Sequence, residues 1–332
     1  MMRSLVVLPD DSARPILDAI HTAKHSLRVK MFVLSDPTLL KALVAAHHRG
    51  VTVRVILNGA RRSGEKDNDQ THQVLARAGV GVRDGSPAVE LTHEKSMVVD
   101  DVSAFVMSLN WATKNLTETR DYAIMTTNAR DVHEVAEGFD ADWQRRTFQP
   151  PHDTRLVWCP GPGRDRICDF IDRARHRLFV QNERFQDTVV LERLVRAAGR
   201  GVKIHVMARA PHTLKREKLI EGVGGLRILD DMGIKVHKLK HLKLHGKMLL
   251  ADGVAAIVGS INLASGSLDG RRELAIEVHD EQVVDRLQKV AHRDWDHSRP
   301  LDLSDEGLLA DLEDRIADGG HLLALDGHHD AD

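Results

Sequence analysis

Residues 241–262 read HLKLHGKMLLADGVAAIVGSIN. His245 precedes Lys247 by two positions and Asp252 by seven, and Gly259, Ser260 and Asn262 follow. Residues 91–110, LTHEKSMVVDDVSAFVMSLN, carry the same arrangement as His93, Lys95, Asp100, Ser108 and Asn110, each 152 positions before its counterpart. Two such stretches in register point to an internal duplication.

The flanking sequence repeats in the same order. RLVWCPG (155–161) echoes SLVVLPD (4–10), and LERLVRAAGRGVKIHVM echoes LLKALVAAHHRGVTVRVIL. Asp121 in RDYAI matches Glu273 in RELAI, and Asp142-Trp143 matches Asp294-Trp295. Within the first copy, Leu5–Leu8 reads as a short buried strand, and Ile16, Leu17, Ile20 and Ala23 follow at helical spacing. Residues 27–34 read as a strand. A helix follows, with Asp36 as N-cap, Pro37 at its first position and Gly50 as its stop. Residues 51–57 are a third strand. A repeat of this size is a domain-sized unit rather than a solenoid turn. The expected architecture is α/β: a first half over 1–148, a linker over 149–154, a second half over 155–300 and an acidic tail over 301–332, the halves related by a pseudo-twofold axis.

The 332 residues, 42% of them hydrophobic, can build a real core. Lys+Arg of 47 against Asp+Glu of 49 gives a net charge of −2, so no global basic field gathers nucleic acid or an anionic bilayer. Local runs remain, at Lys235, Lys238, Lys240 and Lys243 and at Arg61, Arg62 and Lys66. Two cysteines, Cys159 and Cys168, fit neither a disulfide framework nor a zinc site, which suits a reducing compartment. His321, His328 and His329 near the C-terminus show no metal-ligand spacing. The apolar run at Leu5–Leu8 is too short for a signal peptide, and no uninterrupted run of about 18 apolar residues is present. The expectation is a cytoplasmic protein with no metal site; peripheral contact at the inner membrane stays open.

In an extended strand alternate side chains share a face, so His245 and Lys247 are expected to point together, as are His93 and Lys95. Asp252-Gly253 is a strong hairpin-turn signal and Asp100-Asp101 a weaker one. Read as two-residue turns, they bring Ser260 opposite His245 and Ser108 opposite His93, which gathers histidine, lysine, serine and asparagine into one patch per half. Asp100 and Asp252 then lie in the turns as structural residues. A lysine supplies a cationic donor for phosphate oxygens, and a histidine serves as nucleophile or acid/base near neutral pH. Two histidines on opposite sides of a phosphorus atom suit in-line displacement, and Asp121 and Glu273 are available to orient them.

The twice-repeated H-x-K-x4-D with S-x-N resembles the phospholipase D superfamily over about 300 residues, and the short two-motif form resembles bacterial cardiolipin synthases. The resemblance implies two αβα sandwich halves and a phosphodiesterase or phosphatidyltransferase that works on phospholipid through a covalent phosphohistidine without a cofactor. It also implies His93 as nucleophile and His245 as general acid and later base. Lys95, Lys247, Ser108, Asn110, Ser260 and Asn262 fall at phosphate-binding positions, and Asp121 and Glu273 at positions that orient the histidines across the interface between halves. Met107, where the second copy has Gly259, is expected to narrow the site. Water or an alcohol accepts the transferred group. The alternative reading is a nuclease of the same chemistry, against which stand the near-zero charge and the 4% aromatic content. Because one chain carries both motifs, a monomer suffices for a complete site.

Overall fold

The computed structural model describes residues 2–61, 64, 66–209 and 216–310. Arg62, His321, His328 and His329 lie outside the described residues. The first half runs β1 (Arg3–Leu8), α1 (Arg14–Thr22), β2 (Ser26–Met31), α2 (Pro37–His48), β3 (Thr52–Leu57), α3 (Asp69–Arg77) and β4 (Gly81–Asp84). It continues through β5 (Leu91–Thr92), β6 (Ser96–Val99), β7 (Ser103–Met107), α4 (Thr113–Thr117), β8 (Thr119–Thr126) and α5 (Ala129–Trp143). The second half repeats the order from β9 (Leu156–Cys159) through α6 (Gly163–Arg173), β10 (Arg177–Asn182), α7 (Thr188–Gly199), β11 (Lys203–Ala208), α8 (Arg216–Asp231) and β12 (Lys235–Leu239). It ends with β13 (Lys243–Leu244), β14 (Lys247–Ala251), β15 (Ala255–Gly259), α9 (Ser265–Asp269), β16 (Arg271–Val278), α10 (Glu281–Asp296) and β17 (Ser298–Pro300).

The local chemistry explains the α/β units. Asp36 accepts from the backbone N–H groups of Thr38 and Leu39, and Gly50 takes the left-handed conformation (φ 91°) that stops α2. The helices carry the chain between parallel partners, β2 beside β3 and β10 beside β11, a connection that a tight turn cannot make. The sheets run β1-β8-β7-β6-β2-β3-β4 and β17-β12-β11-β10-β14-β15-β16, with β9 also on β16.

Each sheet is covered on one face by its own helices. The other faces pack together with α5 and α10 in a shared core that includes Val7, Val106, Tyr122 and Ile124 from the first half and Trp158, Met248, Val258 and Leu274 from the second. Burial on both faces is why the strands read as continuous apolar runs. Among the described residues no helix is long and apolar enough to cross a membrane.

Two expectations about the motif are corrected here. The turns fall where expected, with Asp100, Asp101, Asp252 and Gly253 all at positive φ, but the ladders close at Val99↔Ser103 and Ala251↔Ala255. One extra residue, Val102 or Val254, stands exposed in each loop, so the register slips by one and His245 does not face Ser260, nor His93 Ser108. Nor is the motif one extended strand. Lys243 and Leu244 pair with Thr119 and Arg120 of the first half, whereas Lys247 begins the strand that pairs within the second. Leu91 and Thr92 likewise pair with Arg271 and Arg272. Each motif histidine therefore sits where the chain leaves the other half's sheet and enters its own.

Both turn aspartates tie their hairpin to the start of a neighbouring strand. Asp252 accepts from the backbone N–H groups of Arg175, His176 and Arg177, each at 2.8 Å, and Asp100 from those of Lys24, His25 and Ser26 at 2.8, 2.7 and 2.8 Å. Replacing Asp252 by alanine leaves three donors without their acceptor and is expected to cost about 1–3 kcal/mol in urea unfolding. A loss under about 0.5 kcal/mol would show that water serves those donors equally well.

Candidate active site

The crossover geometry places each imidazole against a carboxylate of the other half. His93 Nδ1 lies 2.9 Å from Glu273 Oε2, and His245 Nδ1 lies 2.8 Å from Asp121 Oδ1. Both carboxylates are fully buried. With Nδ1 engaged in this way, Nε2 of each ring is the nitrogen left for chemistry. The backbone N–H groups of His93 and Glu94 donate to Arg272 O, and those of His245 and Gly246 donate to Arg120 O, so the same strands that carry the carboxylates fix the histidine backbones. Gly246 is required at this crossing, because a Cβ there would meet the Tyr122 ring at 2.8 Å.

The serines belong to this scaffold. Ser108 Oγ donates to Asp121 Oδ1 at 2.6 Å and Ser260 Oγ to Glu273 Oε2 at 2.5 Å, and both serines are fully buried. Their expected place as phosphate ligands beside the histidine of their own half is corrected: each hydroxyl is spent on the carboxylate that holds the opposite half's histidine. Thr119 and Ser267 donate to Asp121 and Glu273 as well. Met107 does not narrow the site either. It is fully buried in the first half's helix-side core, whereas a Cβ on Gly259 would strike Leu274 O and Ala275 at 2.3 Å.

Lys95 and Lys247 are almost wholly buried, and each donates to the carbonyl of its own motif histidine, at 2.5 and 2.6 Å. Asn110 Oδ1 and Asn262 Oδ1 are buried with no hydrogen-bond partner among the described residues, as are Nε and Nη1 of Arg271. His93 is held well below the ordinary histidine value, first by burial and then by the charges of Lys95, Lys247 and Arg271, with Glu183 opposing. Glu273 is pushed up by burial, against Lys95, its two serine donors and Arg271. That shift favours the neutral form of the His93 imidazole.

Three features escaped the sequence reading. Arg120 makes a bidentate pair with Asp294 at 2.8 and 3.0 Å, and Arg272 makes the reciprocal pair with Asp142 at 3.0 Å twice. These bridges cross between the halves, and the signal was present in the repeated R-D/R-E and D-W pairs. Arg271 has Thr119 as its counterpart, so it does not repeat. Glu183, at 2.7 Å from Lys247 Nζ, does not repeat either. The basic run divides: Lys238 is buried, while Lys235, Lys240 and Lys243 are exposed and Lys243 faces Glu118 at 3.6 Å.

A duplicated sheet pair with one His-Lys motif from each half at their seam is the arrangement of phospholipase D-like enzymes. The family model described as "Cardiolipin synthase, PLD-like domain" matches residues 16–143 and again 167–295, and the chain belongs to that family. Cardiolipin synthase B of Salmonella typhi is 26% identical over 328 residues, covering 84% of this chain and 78% of that protein. A polyphosphate kinase of Vibrio parahaemolyticus is 24% identical over 280 residues, 79% of this chain but 39% of that protein. Phosphatidylserine synthase of Haemophilus influenzae superimposes with a TM-score of 0.72 over 96% of this chain and 93% of that one, at 11% identity, which speaks to the fold alone.

Proposed function

We propose that the chain is a phospholipid phosphodiesterase or phosphatidyltransferase that works through a covalent phosphohistidine on His93. The observation that carries this reading is the pair of imidazoles, each anchored at Nδ1 by the other half's carboxylate. His93 Nε2 attacks phosphorus, and the bond to the departing alcohol breaks as His245 gives that oxygen its proton. His245 then takes a proton from water or an acceptor alcohol, whose oxygen displaces His93. Lys95, Lys247, Asn110 and Asn262 hold the phosphoryl oxygens. Asp121 and Glu273 orient the rings and balance charge on them, with Ser108 and Ser260 fixing those carboxylates in turn. Asp100 and Asp252 brace the hairpins. No step calls on a cofactor, and both histidines come from one chain.

Support for a lipid substrate comes from the family match and from the cardiolipin synthase relative, which aligns over most of both chains. The test is turnover of phosphatidylglycerol vesicles, of single- and double-stranded DNA and of inorganic polyphosphate, each with and without EDTA. Lipid turnover that survives EDTA is expected. DNA cleavage or polyphosphate turnover without lipid turnover would replace the substrate, and loss of activity in EDTA would overturn the mechanism. Vesicle sedimentation in the same samples reads peripheral membrane contact.

The depressed His93 value sets a pH expectation. The neutral, nucleophilic ring persists as pH falls through 6.5 and is lost only when the lowered folded-state value is crossed. The acid limb of kcat/KM, taken on a soluble phosphodiester, is therefore expected below the usual histidine range. A limb centred at 6.5 or above would contradict a buried neutral nucleophile.

A further inference from the structure

The two halves differ where they meet the substrate. Ser26 and Arg177, whose N–H groups both bind a motif aspartate, occupy matching places, which puts Phe32 and Glu183 at matching places six residues on. Phe32 stands edge-on to the His93 ring at 4.9 Å, with Lys95 Nζ 5.1 Å from its own ring centre. On the other side Glu183 Oε2 accepts from Lys247 Nζ at 2.7 Å and lies 3.9 Å from His245 Nε2, while Oε1 accepts from Arg209 at 2.8 Å. One phosphate-side lysine thus sits on an apolar ring and the other on a carboxylate.

We infer that Glu183 selects phosphodiesters over phosphomonoesters and inorganic phosphate, by requiring that the group presented to His245 be an uncharged ester oxygen rather than an oxyanion. The inference rests on the proposed reading, in which the departing alcohol faces His245. A diester carries one negative charge, shared by the two oxygens that the lysines and asparagines hold, and turns an alkylated oxygen toward His245. A monoester loses its second proton near pH 6 and inorganic phosphate somewhat higher, so at pH 7.5 both carry further charge that a diester cannot. That charge would fall beside Glu183 Oε2, where the Glu183 and His245 side chains are each only 11% exposed and like charges are weakly screened. Glu183 keeps its own charge: burial pushes its carboxyl up, but Lys247, His245 and Arg209 together hold it well below the ordinary carboxylate value. The same repulsion would expel a phosphomonoester product after hydrolysis. In the first half the matching residue, Phe32, carries no charge.

The experiment is calorimetric binding of inorganic phosphate and of diethyl phosphate to the full chain at pH 7.5, for the wild type, Glu183→Gln and Glu183→Asp. In Glu183→Gln phosphate is expected to bind about tenfold tighter and the diester to change by less than about threefold, with Glu183→Asp restoring much of the wild-type ratio. Equal shifts for both ligands, or no shift, would overturn the inference, since a merely structural role cannot move their ratio. The wild type alone gives an independent reading should the variants fold poorly. It must bind phosphate no more tightly than the diester, and a tenfold preference for phosphate would refute the inference. Binding needs no turnover, so failure of this inference is separable from failure of the phosphohistidine reading, which would show as a missing adduct on His93.

Discussion

His93→Asn abolishes the covalent intermediate and lowers kcat by about 10⁴-fold or more, the scale on which removal of a nucleophile acts. The asparagine keeps a polar group of similar reach near Glu273, so the fold is expected to survive, with unfolding midpoints close to wild type. His245→Asn slows turnover as well, but for a different reason. Its acid function matters least when the departing group needs no proton, so an activated aryl phosphodiester retains far more of its first-step rate than an alkyl one. Persistence of a labelled phosphoprotein in His93→Asn would remove His93 from the nucleophile's role.

The second large effect concerns the seam between the halves. Asp142→Ala leaves both Lys30 and Arg272 without their shared carboxylate, in surroundings where Lys30 is fully buried and the Arg272 side chain 9% exposed. Burial pushes the Asp142 carboxyl up, but the charges of Lys30 and Arg272 hold it below its ordinary value, which marks how strongly those partners favour its ionised form. Lys30 keeps Glu94 at 2.9 Å, whereas Arg272 loses both of its charged hydrogen bonds, and stranding that buried guanidinium is expected to cost about 3–5 kcal/mol in denaturant unfolding. Because Arg272 O also accepts the N–H groups of His93 and Glu94, activity should fall in the protein that remains folded. A cost below about 1 kcal/mol, or unchanged kcat, would show that the seam does not depend on this bridge.

Much of the architecture was legible because the repeat is written in polar residues as well as apolar ones. Asp36, Pro37 and Gly50 delimit α2 by backbone chemistry that does not depend on the rest of the fold. The pairing of Asp121 with His245 and of Glu273 with His93 follows once two motifs must share one site. The hairpin register was not legible, since a two-residue turn and a turn carrying one extra exposed residue begin with the same Asp-Asp or Asp-Gly, and Val102 and Val254 do not betray their exposure. The strand exchange at Leu91–Thr92 and Lys243–Leu244 was hidden for a deeper reason: alternation within a strand says which side chains share a face, not which sheet supplies the hydrogen bonds. Alternation places Ser108 and Ser260 at the phosphate, whereas their hydroxyls donate to the carboxylates. Glu183 and Arg271 have Phe32 and Thr119 as counterparts, so the repeat does not point to them. At this seam the unrepeated residues make the two halves differ beside their lysines.

His93 is expected to form the covalent bond while His245 manages the proton. His245→Asn lacks the base that releases the intermediate, so brief reaction with an activated phosphodiester followed by acid-free peptide mapping by mass spectrometry should find the phosphoryl adduct on the peptide containing His93. An adduct on any other residue, or none in a folded variant that still releases the alcohol, would rule out His93 as the nucleophile.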